Sequence, residues 1–171
     1  MSRQTPPYDY VPITERAYDL PGDAGVAVWV IINVEHFLLD EPYGPGDPVP
    51  DTQRFGRREY GLRAGYWRLL DVLDEFDVPA TLTLNSSVCD HEPQVVQAAV
   101  DRDWAIMGHG VTNSERLVHM DPAEERAVIE ETRDRIREFT GQAPEGWLSP
   151  GLMQSFDSME LLADAGFTYV S

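Results

Sequence analysis

The sequence predicts an α/β fold, a parallel sheet with helices packed outside it. Short apolar, β-branched runs recur five times, and the segments between them place their apolar residues at helical spacing. The first run, Gly25–Ile32, has no alternation of apolar and polar residues, the pattern of a strand covered on both faces. Polar residues follow several of these runs directly, which puts them at one rim of the sheet, where α/β folds hold their sites.

Taken in order, residues 1–24 carry Pro6, Pro7, Pro12 and Pro21 with little periodicity and read as an extended N-terminal arm. The strand Gly25–Ile32 leads into Asn33-Val34-Glu35-His36-Phe37. Residues 38–56, rich in proline, read as a long loop over the sheet. Leu62, Tyr66, Leu69, Leu70 and Leu73 form the apolar stripe of a helix from Tyr60 to Phe76. After Val78-Pro79 comes a second strand, Ala80–Leu84, ending in Asn85-Ser86-Ser87. Asp90 is placed to cap a helix from His91 to Val100, which makes His91 a surface residue. The third strand, Trp104–Met107, delivers His109 between Gly108 and Gly110, where glycine lets the backbone turn close to whatever lies beside the imidazole.

Asp121-Pro122-Ala123-Glu124 is a capping box, followed by Val128, Ile129, Thr132, Ile136 and Phe139 on one helical face. A fourth strand, Gly146–Leu148, ends in Ser149-Pro150-Gly151. A helix from Asp157 to Ala165, closed by Gly166, leads to the fifth strand, Phe167–Val170.

The 171 residues suffice for one domain with a real core, and 42% hydrophobic content argues against disorder. Thirteen basic against thirty acidic residues give a net charge of −17, which repels phosphate backbones and anionic lipid, so no nucleic-acid or membrane partner is expected. Cys89 has no internal disulfide partner and no basic sequence neighbour to activate it. No apolar signal core opens the sequence and no apolar run is long enough to span a bilayer, so a cytoplasmic location is expected.

An acid and a histidine at the end of a buried strand, Glu35 and His36, join His109 as candidates for chemistry. Taken alone, His109 also reads as a hydrogen-bonded histidine in an ordinary turn. A zinc site wants three protein ligands and an open position; His36 and His109 supply two, and Asn113 through its carbonyl oxygen is a weak third. Without metal, Glu35 takes a proton from water, and His109 or backbone amides near Gly151 stabilise the oxyanion.

The strand ending in NVEHF, the run Met107-Gly-His-Gly-Val-Thr-Asn-Ser114, the run Gly146-Trp-Leu-Ser-Pro-Gly151, and the stretches Tyr60–Arg63, Trp67–Asp71 and Val78–Thr81 together resemble the polysaccharide deacetylase (NodB-homology) family. The likeness is nearest to its allantoinase-like and peptidoglycan-deacetylase-like branch and covers about residues 26–170. It implies the N-terminal portion of a distorted (β/α) barrel over residues 25–171, truncated at its C-terminus. It also implies hydrolysis of non-peptide C–N (amide) bonds, with a small-molecule amide, a ureide or an N-acetylated sugar as substrate.

The resemblance carries over residue by residue only in part. Of the family's adjacent acids, general base and metal ligand, this sequence has Glu35 then His36. Of its two metal histidines four apart it has His109 and Asn113. Where the family has an arginine before a proline, it has Leu148 or Ser149. The resemblance therefore implies Glu35 and His109 as catalytic residues and Asn85, Ser149, Pro150 and Gly151 as substrate contacts. It implies either no cofactor, the nearer match, or one divalent, zinc-like metal on His36, His109 and Asn113. The family's remaining motifs, an acid orienting the base and a histidine acting as general acid, fall beyond Ser171, so this chain alone is expected to be inactive. Its bare strand edges are expected to drive homo-oligomers or poor solubility.

A different class of function is an inactive or truncated barrel that binds a sugar, a ureide or another protein, which the changed ligand positions favour. A dinucleotide-binding domain is disfavoured, since no Gly-rich phosphate loop follows the first strand.

Overall fold

The computed structural model describes residues 11–12, 14–15, 19–41 and 46–171. Five parallel strands lie in the order β1-β2-β3-β4-β5: β1 Ile31–Val34, β2 Thr81–Leu84, β3 Ala105–Gly108, β4 Gly146–Trp147 and β5 Tyr169–Val170. Helices fill every connection: α1 Thr52–Tyr60 and α2 Tyr66–Glu75 after β1, α3 Val88–His91 and α4 Pro93–Val100 after β2, α5 Pro122–Thr140 after β3, and α6 Ser158–Asp164 after β4. Among the described residues no helix is long and apolar enough to cross a membrane. Of the expected N-terminal arm, residues 1–10, 13 and 16–18 lie outside the described residues; Pro21–Asp23 form a 3₁₀ turn.

Alternation along the strands separates an outer from an inner face. Ile32, Val34, Leu82 and Leu84 point outward into a core with Leu70, Val95 and Ala99 of the helices, while Trp147 and Phe167 join Ile129 and Leu162 in a second core under α5 and α6. On the other face the Trp29 indole N–H donates to Thr81 Oγ1 at 2.9 Å, and its ring meets the Tyr169 ring edge-on, centroids 6.1 Å apart. Trp29 precedes β1 and Tyr169 lies in β5, so the two edges of the sheet curl toward each other as part of a barrel wall. Gly146 is required inside that curve, since a Cβ there would come within 2.3 Å of the Tyr169 ring.

The structure moves several boundaries. The first strand is Ile31–Val34 rather than Gly25–Ile32, and Val26 and Val28 are 76% and 84% exposed. β2 supplies only four ladder partners, Ile31↔Thr81 to Val34↔Leu84, so the earlier apolar residues have no strand to pair with. Nor is β1 covered on both faces, because Asn33 is exposed.

The expected loop 38–56 ends early. Helix α1 starts at Thr52 with the Asp51 side chain accepting from the Arg54 N–H, and it continues through a π turn, Gly61–Gly65, into α2. Asp90 does not cap a helix. It lies inside α3, and α4 begins instead with Pro93 at its first position. The capping box forms as expected: Asp121 accepts from the Ala123 and Glu124 N–H groups, and the Glu124 carboxylate accepts from the Asp121 N–H.

Candidate active site

Backbone hydrogen bonds extend the ladder one residue past the strands and fix the rim. The Asn85 N–H donates to Val34 O at 3.1 Å, His109 N–H to Leu84 O at 2.9 Å, and Leu148 N–H to Gly108 O at 2.9 Å. Beyond them the β2 and β3 loops stay joined, Ser86 N–H to Gly110 O at 3.0 Å and Ser87 N–H to Val111 O at 3.1 Å. The Asn113 N–H donates to His36 O at 2.8 Å and ties in the β1 loop.

Glu35 Oε1 lies 3.5 Å from His109 Nε2. The imidazole is 1% exposed, and its Nδ1 sits 2.6 Å from Leu148 O. A carbonyl can only accept, so this bond keeps a proton on Nδ1 and turns Nε2 toward Glu35. With a second proton on Nε2 the two groups form an ion pair; without it they are two facing acceptors, and the buried Nε2 makes no hydrogen bond. His109 holds the Glu35 carboxyl below the usual glutamate range, against the opposing effect of burial, with the Arg58 guanidinium and the Asn33 side chain adding to the effect. The Arg58 guanidinium also rests 3.3 Å over the Phe37 ring. A cavity of about 270 Å³ opens beside Glu35, between β1 and the helices, walled by Val34, Phe37, Leu62 and Tyr66.

His36 faces a different group. Its Nδ1 is 2.8 Å from Ser87 Oγ, and its ring packs on His91, which is exposed as expected, with centroids 4.5 Å apart. Burial, and then the His91 charge, push its pKa down. Of the expected metal set, His36 thus has its Nδ1 bonded to Ser87 and its ring packed against His91. That leaves His109 Nε2 and Asn113 Oδ1 as buried atoms without partners, one imidazole nitrogen and one amide oxygen. Among the described residues no three His, Cys, Asp or Glu are grouped to hold a metal ion, so the donors present do not fit a zinc-like site.

Of the expected substrate contacts, Asn85 is fully buried and spends both ends of its amide on backbone. Its Oδ1 accepts from the His36 N–H at 2.9 Å, and its Nδ2 donates to His109 O. Ser149 is 4% exposed, accepting from Trp147 Nε1 at 3.0 Å and bonded to Gln154 Oε1 at 3.3 Å. Pro150 is buried against Gly110, where a Cβ would meet its Cγ at 2.7 Å. Gly151, with φ +63°, is exposed and lies under the Arg116 side chain, whose Nε would be 2.8 Å from a Cβ there.

Three residues were not singled out from the sequence. Arg58 gave no signal because it falls between the expected loop 38–56 and the helix expected from Tyr60. Arg116 brings a guanidinium to the β4 loop over Gly151; it also donates to Asn113 O. Glu125, fully buried, accepts from Ser155 Oγ at 2.6 Å and from Ser158 Oγ, and so fastens the segment after β4 to α5. Cys89 is buried, and burial pushes its thiol up to about 11, in keeping with no nucleophilic role.

The family model for polysaccharide deacetylases matches residues 58–170. A peptidoglycan deacetylase of Helicobacter pylori is 28% identical over 127 residues, 74% of this chain and 42% of that protein. Among solved structures, the Puue allantoinase superposes with TM-score 0.80 at 26% identity over 97% of this chain. A probable polysaccharide deacetylase of Pseudomonas aeruginosa superposes with TM-score 0.82 at 28% identity over 96%. The chain spans 60% of each of these two structures and under half of the curated relative.

Proposed function

The chain belongs to the polysaccharide deacetylase family, and from that premise we propose that it carries the water-activating part of a hydrolase site for non-peptide C–N (amide) bonds. Glu35 is the general base. Ionised near neutral pH, it takes a proton from water as the water oxygen attacks the amide carbonyl. His109, held at Nδ1 by Leu148, turns its buried Nε2 toward Glu35 and supports the base; it donates to the oxyanion of the tetrahedral intermediate only once the rim opens and Nε2 is protonated. The observation that supports this reading most is the approach of Glu35 to His109 at the ends of β1 and β3.

The substrate is a small-molecule amide, a ureide or an N-acetylated sugar. The decisive experiment assays the full-length protein, and Glu35→Gln beside it, for acetate release from N-acetylchitooligosaccharides and for allantoin hydrolysis. Turnover by the wild type that the variant loses is the expected result; equal turnover by both would remove Glu35 from the chemistry.

The family also contains pseudoenzymes. The donor set around His109, too small for a zinc-like ion, favours a second reading, a barrel that binds such a ligand without cleaving it. Calorimetric binding of either compound with no turnover is its signature.

A further inference from the structure

We infer that Asn85 is a positioning residue that sets the separation of Glu35 and His109, bracketing the first through backbone on both its sides and holding the second by its carbonyl. The inference rests on the reading of Glu35 and His109 as the reacting pair.

The geometry is specific. The Asn85 N–H donates to Val34 O at 3.1 Å, one residue before Glu35, and its Oδ1 accepts from the His36 N–H at 2.9 Å, one residue after. Glu35 thus sits between two bonds to a single residue on the neighbouring strand. The other end of the same amide donates to the carbonyl of His109 itself. One rigid planar group, with only two side-chain torsions, therefore joins the β1 rim to the β3 rim, and both strands take their spacing from β2 between them. Asn85 is fully buried, so water offers its partners no replacement.

No other residue type suits this place. Aspartate accepts from His36 but turns a second acceptor toward His109 O. Serine is too short to span both bonds, and glutamine adds a methylene to a packed interior. Alanine leaves Glu35 pinned on one side only and the His109 carbonyl unpaired.

The test compares wild type, Asn85→Ala and Asn85→Asp. Crystal structures read the Glu35 Oε1 to His109 Nε2 distance, and kinetics follow whichever substrate the wild type turns over. We expect the separation to grow by about 1 Å or more, with kcat falling about 10- to 100-fold at nearly constant KM, the mark of a displaced reacting group. A residue that merely stabilises the fold would lower the melting temperature and leave both readouts unchanged, and that result overturns the inference. The distance is read whether or not the wild type is active, so an inactive wild type counts against the hydrolase reading alone. If neither variant folds, Asn85 is a folding element and the positioning role falls.

Discussion

Glu35 and His109 approach to 3.5 Å although a whole strand, β2, lies between theirs. Neighbouring strands are about 4.8 Å apart, so residues two strands apart in a flat sheet would sit about 10 Å from each other. The curl that brings Trp29 to Tyr169 folds the inner face on itself, and two inward side chains close the remaining gap.

Exchanging the proton acceptor isolates its role. Glu35→Gln keeps the shape but cannot take a proton, so amide hydrolysis should fall at least about 100-fold. Thermal melts of the two proteins should differ only by the loss of the pairing with His109, because Glu35 is partly exposed at the rim and fills no core space.

Glu35 should also titrate low, and His109 should be the cause. Carboxyl ¹³C NMR should place its midpoint below the ordinary glutamate value in the wild type and closer to that value in His109→Gln. The sign follows from the lowered folded pKa: the pair's contribution to stability is present above the unfolded pKa, about 4.3, and is lost as pH falls through the folded one. An unchanged midpoint in the variant would assign the shift to Arg58 and Asn33 instead.

Gly108→Ala should destabilise the fold. A Cβ there meets Trp147 Cε3 at 2.8 Å and Thr132 Cγ2 at 3.2 Å, and Trp147 is fully buried with no room to retreat. Overpacking of this kind costs about 1–3 kcal/mol, readable as a lower urea midpoint. A wild-type midpoint would mean that the Trp147 ring yields.

Glu125→Ala removes a buried carboxylate that accepts from two serine hydroxyls and leaves Ser158 without its acceptor in a fully buried place. A loss of about 1–3 kcal/mol is expected in denaturant unfolding. Hydrogen exchange should rise in the segment after β4, which this contact fastens. Uniform protection in both proteins would show that the contact holds nothing in place.

The elements legible in the sequence are those whose signal is local. The capping box of α5 and the glycine that closes α6 need only near neighbours, and Gly166 does adopt φ +93°. The second to fifth strands stand within two residues of their expected places, since short apolar runs between helices leave little room for error. β1 was misplaced because Val26–Val30 is as apolar and β-branched as Ile31–Val34; the choice lay with the partner strand.

The candidate site divides along the same line. The sequence by itself determined the family, the parallel sheet with outer helices, and the placing of Glu35 and His109 just after strands, because periodicity and motif spacing are properties of the chain. Only the tertiary structure decided what each side chain does at the rim. Nothing local to NVEHF says that Glu35 turns to His109 while His36 turns to Ser87 and His91. Nothing in Asn85-Ser86-Ser87 marks its asparagine as a brace between two other strands. Those choices depend on the curl of the sheet and on which buried donors and acceptors meet across it, and such hydrogen-bonded partners lie 24 to 51 residues apart in sequence.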